Sequence, residues 1–464
     1  MSQASVRNGP RLRRVLTLRD LIVYGVIMIS PMAPMTFFGV LSRRGNGHAT
    51  TSILFAMVAM SLTAVSYGRM ARAYPSAGSA FTYVGRELSP ALGYVTGWSI
   101  AMDYVLMPVI CVIYASQQSH VFAPSIPYWA FAVFFAALLT FLSAQGIKVS
   151  ARVNALLAGG MGLVVVAFFI AAVLYITGHP HAGASFFTRP LYDPQAFTVP
   201  GILGGTSLAV LAYMGFDCIS TLSEEANKPA DLLTATVLTC IAVGTLSALE
   251  VYAAQLIWPA AEPFPDLDTA FSFVAQRAWA PLFGAVGLAL IVGSVASGMG
   301  GQLAAARLLY GMGRGSAIPK TFFGAIDSRR RIPRNNVLFI GAVALAGALI
   351  LPAIAGETTG FELASSMLNF GALIAFMGVN AAAFTRFFWR AEQRTAADFA
   401  MPALGFLVCL LLWWNLATQA RILGIVWMAA GIALGAWKTR GFKANLIDFD
   451  LALDADPAVV ESKR

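Results

Sequence analysis

Charge is what this sequence most lacks. Asp, Glu, Lys and Arg make up 11% of its 464 residues, against 58% hydrophobic residues. Soluble domains carry about 25% charged residues, and a chain with so few cannot cover a folded surface with solvated groups. The same hydrophobicity excludes a disordered chain. Cysteine and histidine are scarce, with four of each. Cys111, Cys218, Cys240 and Cys409 lie in apolar runs without metal-type spacing and read as buried small hydrophobes. His48, His120, His179 and His181 fall in or near loops, and His179-Pro180-His181 reads as solvated loop rather than metal site. No Gly-x-Ser-x-Gly, phosphate-binding loop or metal-ligand cluster occurs, so the sequence offers neither a cofactor nor an enzyme's constellation. A cleavable leader is also missing: Arg7, Arg11, Arg13, Arg14 and Arg19 run into an apolar stretch with no small-residue cleavage site.

What the chain has is long apolar runs, and its mean hydropathy is +0.72. A bilayer span needs ~20 apolar residues in a helix that satisfies its own backbone. Spans are predicted near 20–42, 51–73, 91–118, 127–145, 151–177, 199–221, 233–258, 280–312, 335–354, 363–388, 401–418 and 422–438. Twelve spans fill nearly the whole chain and predict an all-α integral membrane protein. With the N-terminus inside, all but five of the 31 Lys and Arg residues fall on the inner side. The five are Arg43, Arg44, Arg189, Arg277 and Arg421. That asymmetry orients the chain with both termini cytoplasmic and accounts for the net charge of +9 without nucleic acid.

Two spans are interrupted. Ile29-Ser30-Pro31-Met32-Ala33-Pro34 puts two prolines in the middle of the first. Tyr213-Met214-Gly215-Phe216-Asp217 puts a glycine and an acid near the middle of the sixth. The breaks are five spans apart, in units of opposite orientation, and paired breaks of that kind mark a transporter's midplane site. The expected division is an N-tail at 1–19, a first inverted repeat at 20–177, a second at 199–354, closing spans at 363–438 and a C-tail at 439–464.

Asp103 is the most informative side chain. It lies ~18 Å into the third span, near the centre of a ~30 Å core, where an acid costs ~2.5–3.5 kcal/mol or more without a cavity or a cation. No Lys or Arg sits mid-span to pair with it, so an ammonium substrate or a transported proton is the candidate partner; an acid bonded between helices is the plain alternative. Tyr104 adds a hydroxyl beside it. Asp217 reads either as the N-cap of the half-helix after the break or as a substrate contact. Tyr213 and Phe216 are placed against the substrate's alkyl part. Glu250, late in the seventh span, reads as interfacial or functional, and Glu224 and Glu225 as a cytoplasmic gate. Ser294 and Ser297 sit near Gly298, Gly300 and Gly301, which suits either a coupling ion or close helix packing. Asn369 reads as helix glue.

Three segments carry a family resemblance: "AYPSAGSAFTYVGRELSPALGYVTGW" at 73–98, "YMGFDCISTLSEEANKP" at 213–229 and "ARLLYGMGRGSAIPK" at 306–320. Together they resemble the amino acid–polyamine–organocation superfamily over nearly the whole chain. "MDYVLMP" at 102–108, "LNFGALIAFMGVN" at 368–380 and "LGIVWMAAG" at 423–431 resemble bacterial putrescine importers within it. The resemblance implies a five-plus-five inverted-repeat fold with alternating access, and a substrate whose charged groups meet the unwound parts of spans one and six. Amides at 30–34 would suit a carboxylate. Two positions depart from the pattern: Thr36 stands where importers have an acid, and Met161 where some proton-coupled relatives have a lysine.

The expected function is therefore import of a small amine, polyamine or amino acid across a bacterial inner membrane. Protons are favoured over Na⁺ as coupling ion, with Asp103, Tyr104 and the segments 29–34 and 213–217 as the site. Substrate/product exchange is the alternative. A transport-dead sensor lacks the signalling domains it would need, and no pore filter argues for a channel.

Overall fold

The computed structural model describes residues 16–75, 79–145, 151–180, 183, 185–223, 226–314, 318–327, 332–355 and 359–442. Glu224, Glu225, His181 and most of both tails lie outside them. Eleven helices are long and apolar enough to cross a membrane, and Tyr128–Ala144 is a shorter apolar helix. Among the described residues there is no strand, only a bridge between Leu16 and Ala226.

Span 1 is Leu18–Ile29, a 3₁₀ turn Ala33–Thr36, and Phe38–Arg44. Span 2 is Ala49–Ala73, span 3 Pro90–Phe122, span 4 Tyr128–Ala144 and span 5 Ala151–Gly178. Span 6 is Val199–Ala209, a 3₁₀ turn Val210–Tyr213, and Cys218–Thr221. Span 7 is Pro229–Ile257, span 8 Leu282–Arg314 and span 9 Arg334–Ile354. Span 10 is Gly360–Phe384, continued by a π-helical turn Thr385–Trp389, then span 11 is Ala396–Trp414 and span 12 Thr418–Lys438. Each matches a sequence-predicted span, with ends within about five residues. Five spans counted from Val199 reach Trp389, so a second five-span unit takes in span 10 and does not stop at 354.

Local chemistry sets the ends. Thr17 and Asp20 form a capping box that starts span 1, and Thr395 and Asp398 form one for span 11. Ser89, Thr198 and Thr359 cap spans 3, 6 and 10. Four helices among the described residues were not foreseen: Ser79–Glu87, between spans 2 and 3, Ser185–Thr188, between spans 5 and 6, Ala270–Ala278, between spans 7 and 8, and Lys320–Phe323, between spans 8 and 9. All are short, below the length at which hydropathy reveals an element.

Span 5 faces outward, with Leu156, Leu163 and Leu174 between 66% and 75% exposed, as lipid contact requires. Spans 3, 6 and 10 are the most buried. Spans 1 and 6 run side by side in opposite directions. On the side of the termini, the basic side, Gly25 lies against Ile219; on the far side, Gly205 lies against Gly45. Small residues let both pairs of half-helices approach closely.

Candidate functional site

The first break follows from composition. Pro31 and Pro34 have no N–H, and Ser30 adopts φ 68°, a left-handed conformation costly for a residue other than glycine. Of the other amides in 30–34, Ser30 donates to the Val26 carbonyl at 3.2 Å and Ala33 to that of Ser30 at 3.1 Å. The second break turns on Gly215, at φ 114°, where a Cβ would also come within 3.3 Å of the Met28 backbone. The two breaks therefore touch at mid-bundle.

Beside them lies a cavity of about 110 Å³. Ile29, Ser30, Met32 and Ala33 line it from the first break, and Leu211 and Met214 from the second. Met107, Ile110, Cys111 and Tyr114 of span 3 line it, and so do Ser294 and Ser297 of span 8, with Met161, Thr36 and Phe37. Two of the glycines near those serines serve packing, Gly298 on Cys111 and Leu139 and Gly301 on Met107, while a Cβ at Gly300 would meet open space. Tyr114 and Phe361 meet edge to face at 5.8 Å where spans 3 and 10 reach the far side.

Not every expected residue lines this cavity. Tyr213 is fully buried and donates from its hydroxyl to the Ile53 carbonyl at 2.8 Å. Phe216 packs between Tyr67 and Phe376, with ring centres 5.5 and 5.2 Å away. Both brace span 6 against spans 2 and 10. Pro31 and Pro34 shape the first break without lining the cavity. Asp217 occupies the N-cap position of Cys218–Thr221 but makes no capping bond there. Asp103 lies on the basic side of the cavity, one turn from Met107, within electrostatic reach of Asp217 and flanked by Tyr104. Asn369 donates to the carbonyls of Ser207 and Leu208 at 2.9 and 3.2 Å, tying span 10 to span 6 just before its break.

Ion pairs stand on both sides of the cavity. On the far side, Glu362 is fully buried and holds Arg43 and, at 2.9 Å, Arg44. Nearby Asp268, which precedes the helix Ala270–Ala278, is pushed up to about 7 by burial and by the acids Asp266 and Glu362. On the basic side, buried Glu87 holds Arg386 at 2.9 Å and Arg390 at 3.1 Å and accepts from the Tyr74 hydroxyl at 2.5 Å. These pairs join Arg43 to Glu362 and Glu87 to Arg386, 319 and 299 residues apart in sequence, which no pattern reveals. Glu250 is fully buried by neighbouring elements, and among the described residues neither carboxyl oxygen has a hydrogen-bond partner.

Comparison with known proteins accords with this geometry. The family model described as amino acid permease matches residues 21–453. The chain is 34% identical over 449 residues to the low-affinity putrescine importer PlaP of Escherichia coli strain K12, covering 93% of this chain and 95% of that protein. It is 26% identical over 462 residues to the branched-chain amino acid permease BcaP of Lactococcus lactis subsp. cremoris, covering 91% and 93%. A crystal structure of an Eremococcus coleocola manganese transporter mutant shares the fold, with a TM-score of 0.53 at 15% identity over 90% of this chain and 94% of that one. These relatives are transporters and not enzymes, as the sequence led us to expect. The chain belongs to the amino acid permease family, within the amino acid–polyamine–organocation superfamily.

Proposed function

We propose that the protein imports a small amine, polyamine or amino acid across the bacterial inner membrane by alternating access, driven by the proton gradient. The observation that carries this reading is the pair of touching breaks beside a cavity, with a buried acid held by arginines toward each face. Opening one pair at a time would expose the cavity to one side at a time. The basic side is cytoplasmic on this reading, and so are both termini. The putrescine importer among the relatives supports an amine, and the branched-chain permease supports an amino acid.

Asp103 is the ammonium partner or the carrier of the coupled proton, with Tyr104 beside it. The broken segments 29–34 and 213–217 form the hinge and the backbone wall. Ser294 and Ser297 offer hydroxyls to a coupling ion. Glu250 is a further proton carrier by its setting, because an ionised carboxylate without partners is among the costliest groups to bury.

The test is uptake by the purified protein in liposomes under an imposed inward proton gradient. Labelled putrescine, leucine and methionine serve as substrates, with and without an ionophore. Gradient-dependent uptake lost in Asp103→Asn supports the reading. Unchanged uptake and pH dependence in that variant removes Asp103 from it. Full counterflow without any gradient favours exchange over symport.

A further inference from the structure

We infer that the cavity selects a solute with a single ammonium group and an apolar body, and discriminates against diamines. The inference rests on the transport reading above and narrows its substrate. Five methionines, Met28, Met32, Met107, Met161 and Met214, line the cavity, and among the described residues no carboxylate, Lys, Arg or His does. Thioethers are polarisable and adaptable, and they suit irregular apolar groups. The polar side chains present are hydroxyls and the Cys111 thiol, and the Thr36 hydroxyl already donates to the Ala33 carbonyl at 2.7 Å.

Acid without a cationic partner is found at one end only: on the far side Glu362 is neutralised by Arg43 and Arg44, and burial raises the Asp268 carboxyl to about 7. Asp103 stands one turn, ~6 Å, beyond Met107 on the same helix face. Asp217 stands at the same end, within electrostatic reach of Asp103. Neither acid serves a second ammonium at the other end. A four-carbon diamine anchored there would push its second ammonium among the methionines. That charge would be desolvated with no counter-charge, the arrangement most strongly penalised in a protein interior. A solute with an apolar chain in that position would bury it with gain. Two kinds of solute share this chemistry: aliphatic monoamines, and neutral amino acids with aliphatic or thioether side chains. In the second kind the carboxylate would meet the Met32 amide and the hydroxyls of Ser30 and Ser294.

Ligand-induced thermal stabilisation of the full chain in detergent tests this, with isoamylamine, leucine, methionine and putrescine as probes, alongside liposome counterflow with labelled leucine and labelled putrescine. At least one single-ammonium probe should bind at least about tenfold more tightly than putrescine, which corresponds to 1.4 kcal/mol. Isoamylamine binding without leucine or methionine would identify monoamines; the reverse would identify amino acids. Ala289 lines the cavity, so Ala289→Phe should abolish binding of the branched probes while alanine or ethylamine still binds. Putrescine binding as tight as that of every single-ammonium probe, or putrescine counterflow that leucine and isoamylamine fail to compete, overturns the inference and leaves the transport reading intact. No binding and no counterflow with any probe overturns both.

Discussion

Asp268 gives a sharp test of the far-side closure. It is 3% exposed and is faced by Asp266, by Glu362 and Thr359 of span 10, by Arg43 of span 1, and by Tyr114 and Tyr128 of spans 3 and 4. Burial and the two acids raise its carboxyl from 3.8 to about 7, opposed by Thr359 and Arg43. The folded state thus holds the proton more tightly than the unfolded chain. Below about pH 4 both states are protonated and the residue adds no penalty. As pH rises toward 7 the folded state loses stability by about 1.4 kcal/mol per unit, for a total of about 4 kcal/mol above pH 7. Asp268→Asn removes the titration while keeping shape and hydrogen-bonding capacity. The apparent Tm of the wild type should fall from pH 5 to pH 8 more than that of the variant, and the two should differ most at pH 8, with the variant higher. Equal pH dependence in both proteins would refute the argument, because other titrating groups are common to them.

Three further outcomes are expected. Gly215→Ala places a Cβ at φ 114° and against the Met28 backbone; it should cost roughly 1–3 kcal/mol, seen as a lower Tm with a larger loss of uptake. Glu362→Gln leaves two arginines without their shared carboxylate, at a cost below the ~3–5 kcal/mol of a fully buried pair because the arginines are about a third exposed. With Cys218, Cys240 and Cys409 replaced by serine, it should speed labelling of cavity-lining Cys111 by an impermeant maleimide applied from the far side. Tyr213→Phe should lower stability by about 0.5–1.5 kcal/mol through loss of the bond to the Ile53 carbonyl, which keeps its helical bond within span 2, measured as a fall in Tm; full retention of Tm would mean that the hydroxyl does not brace span 6.

The spans were legible because hydropathy is a local property, and a helix in lipid needs nothing beyond its own residues to satisfy its backbone. Pro31, Pro34 and Gly215 were legible for the same reason: missing donors and permitted φ values belong to the residue itself. Asp103 stood out because an unpaired acid at that depth is costly wherever it points. What side chains face was not legible. Tyr213 and Phe216, beside a break, read as substrate contacts, yet a carbonyl of span 2 and two rings from spans 2 and 10 hold them in the packing. Glu250 read as near the surface by depth along its own helix, while neighbouring elements bury it completely.

By itself, the sequence determined the membrane class, the twelve spans, the two breaks and the family, each of which depends on residue type and spacing along the chain. Tertiary structure alone decided that the breaks touch, that methionines from four spans line one cavity, and that Glu362 and Glu87 each bind two arginines far away in sequence. Those are contacts between helices, and a helix's own pattern fixes which of its faces is apolar but not which partner meets it.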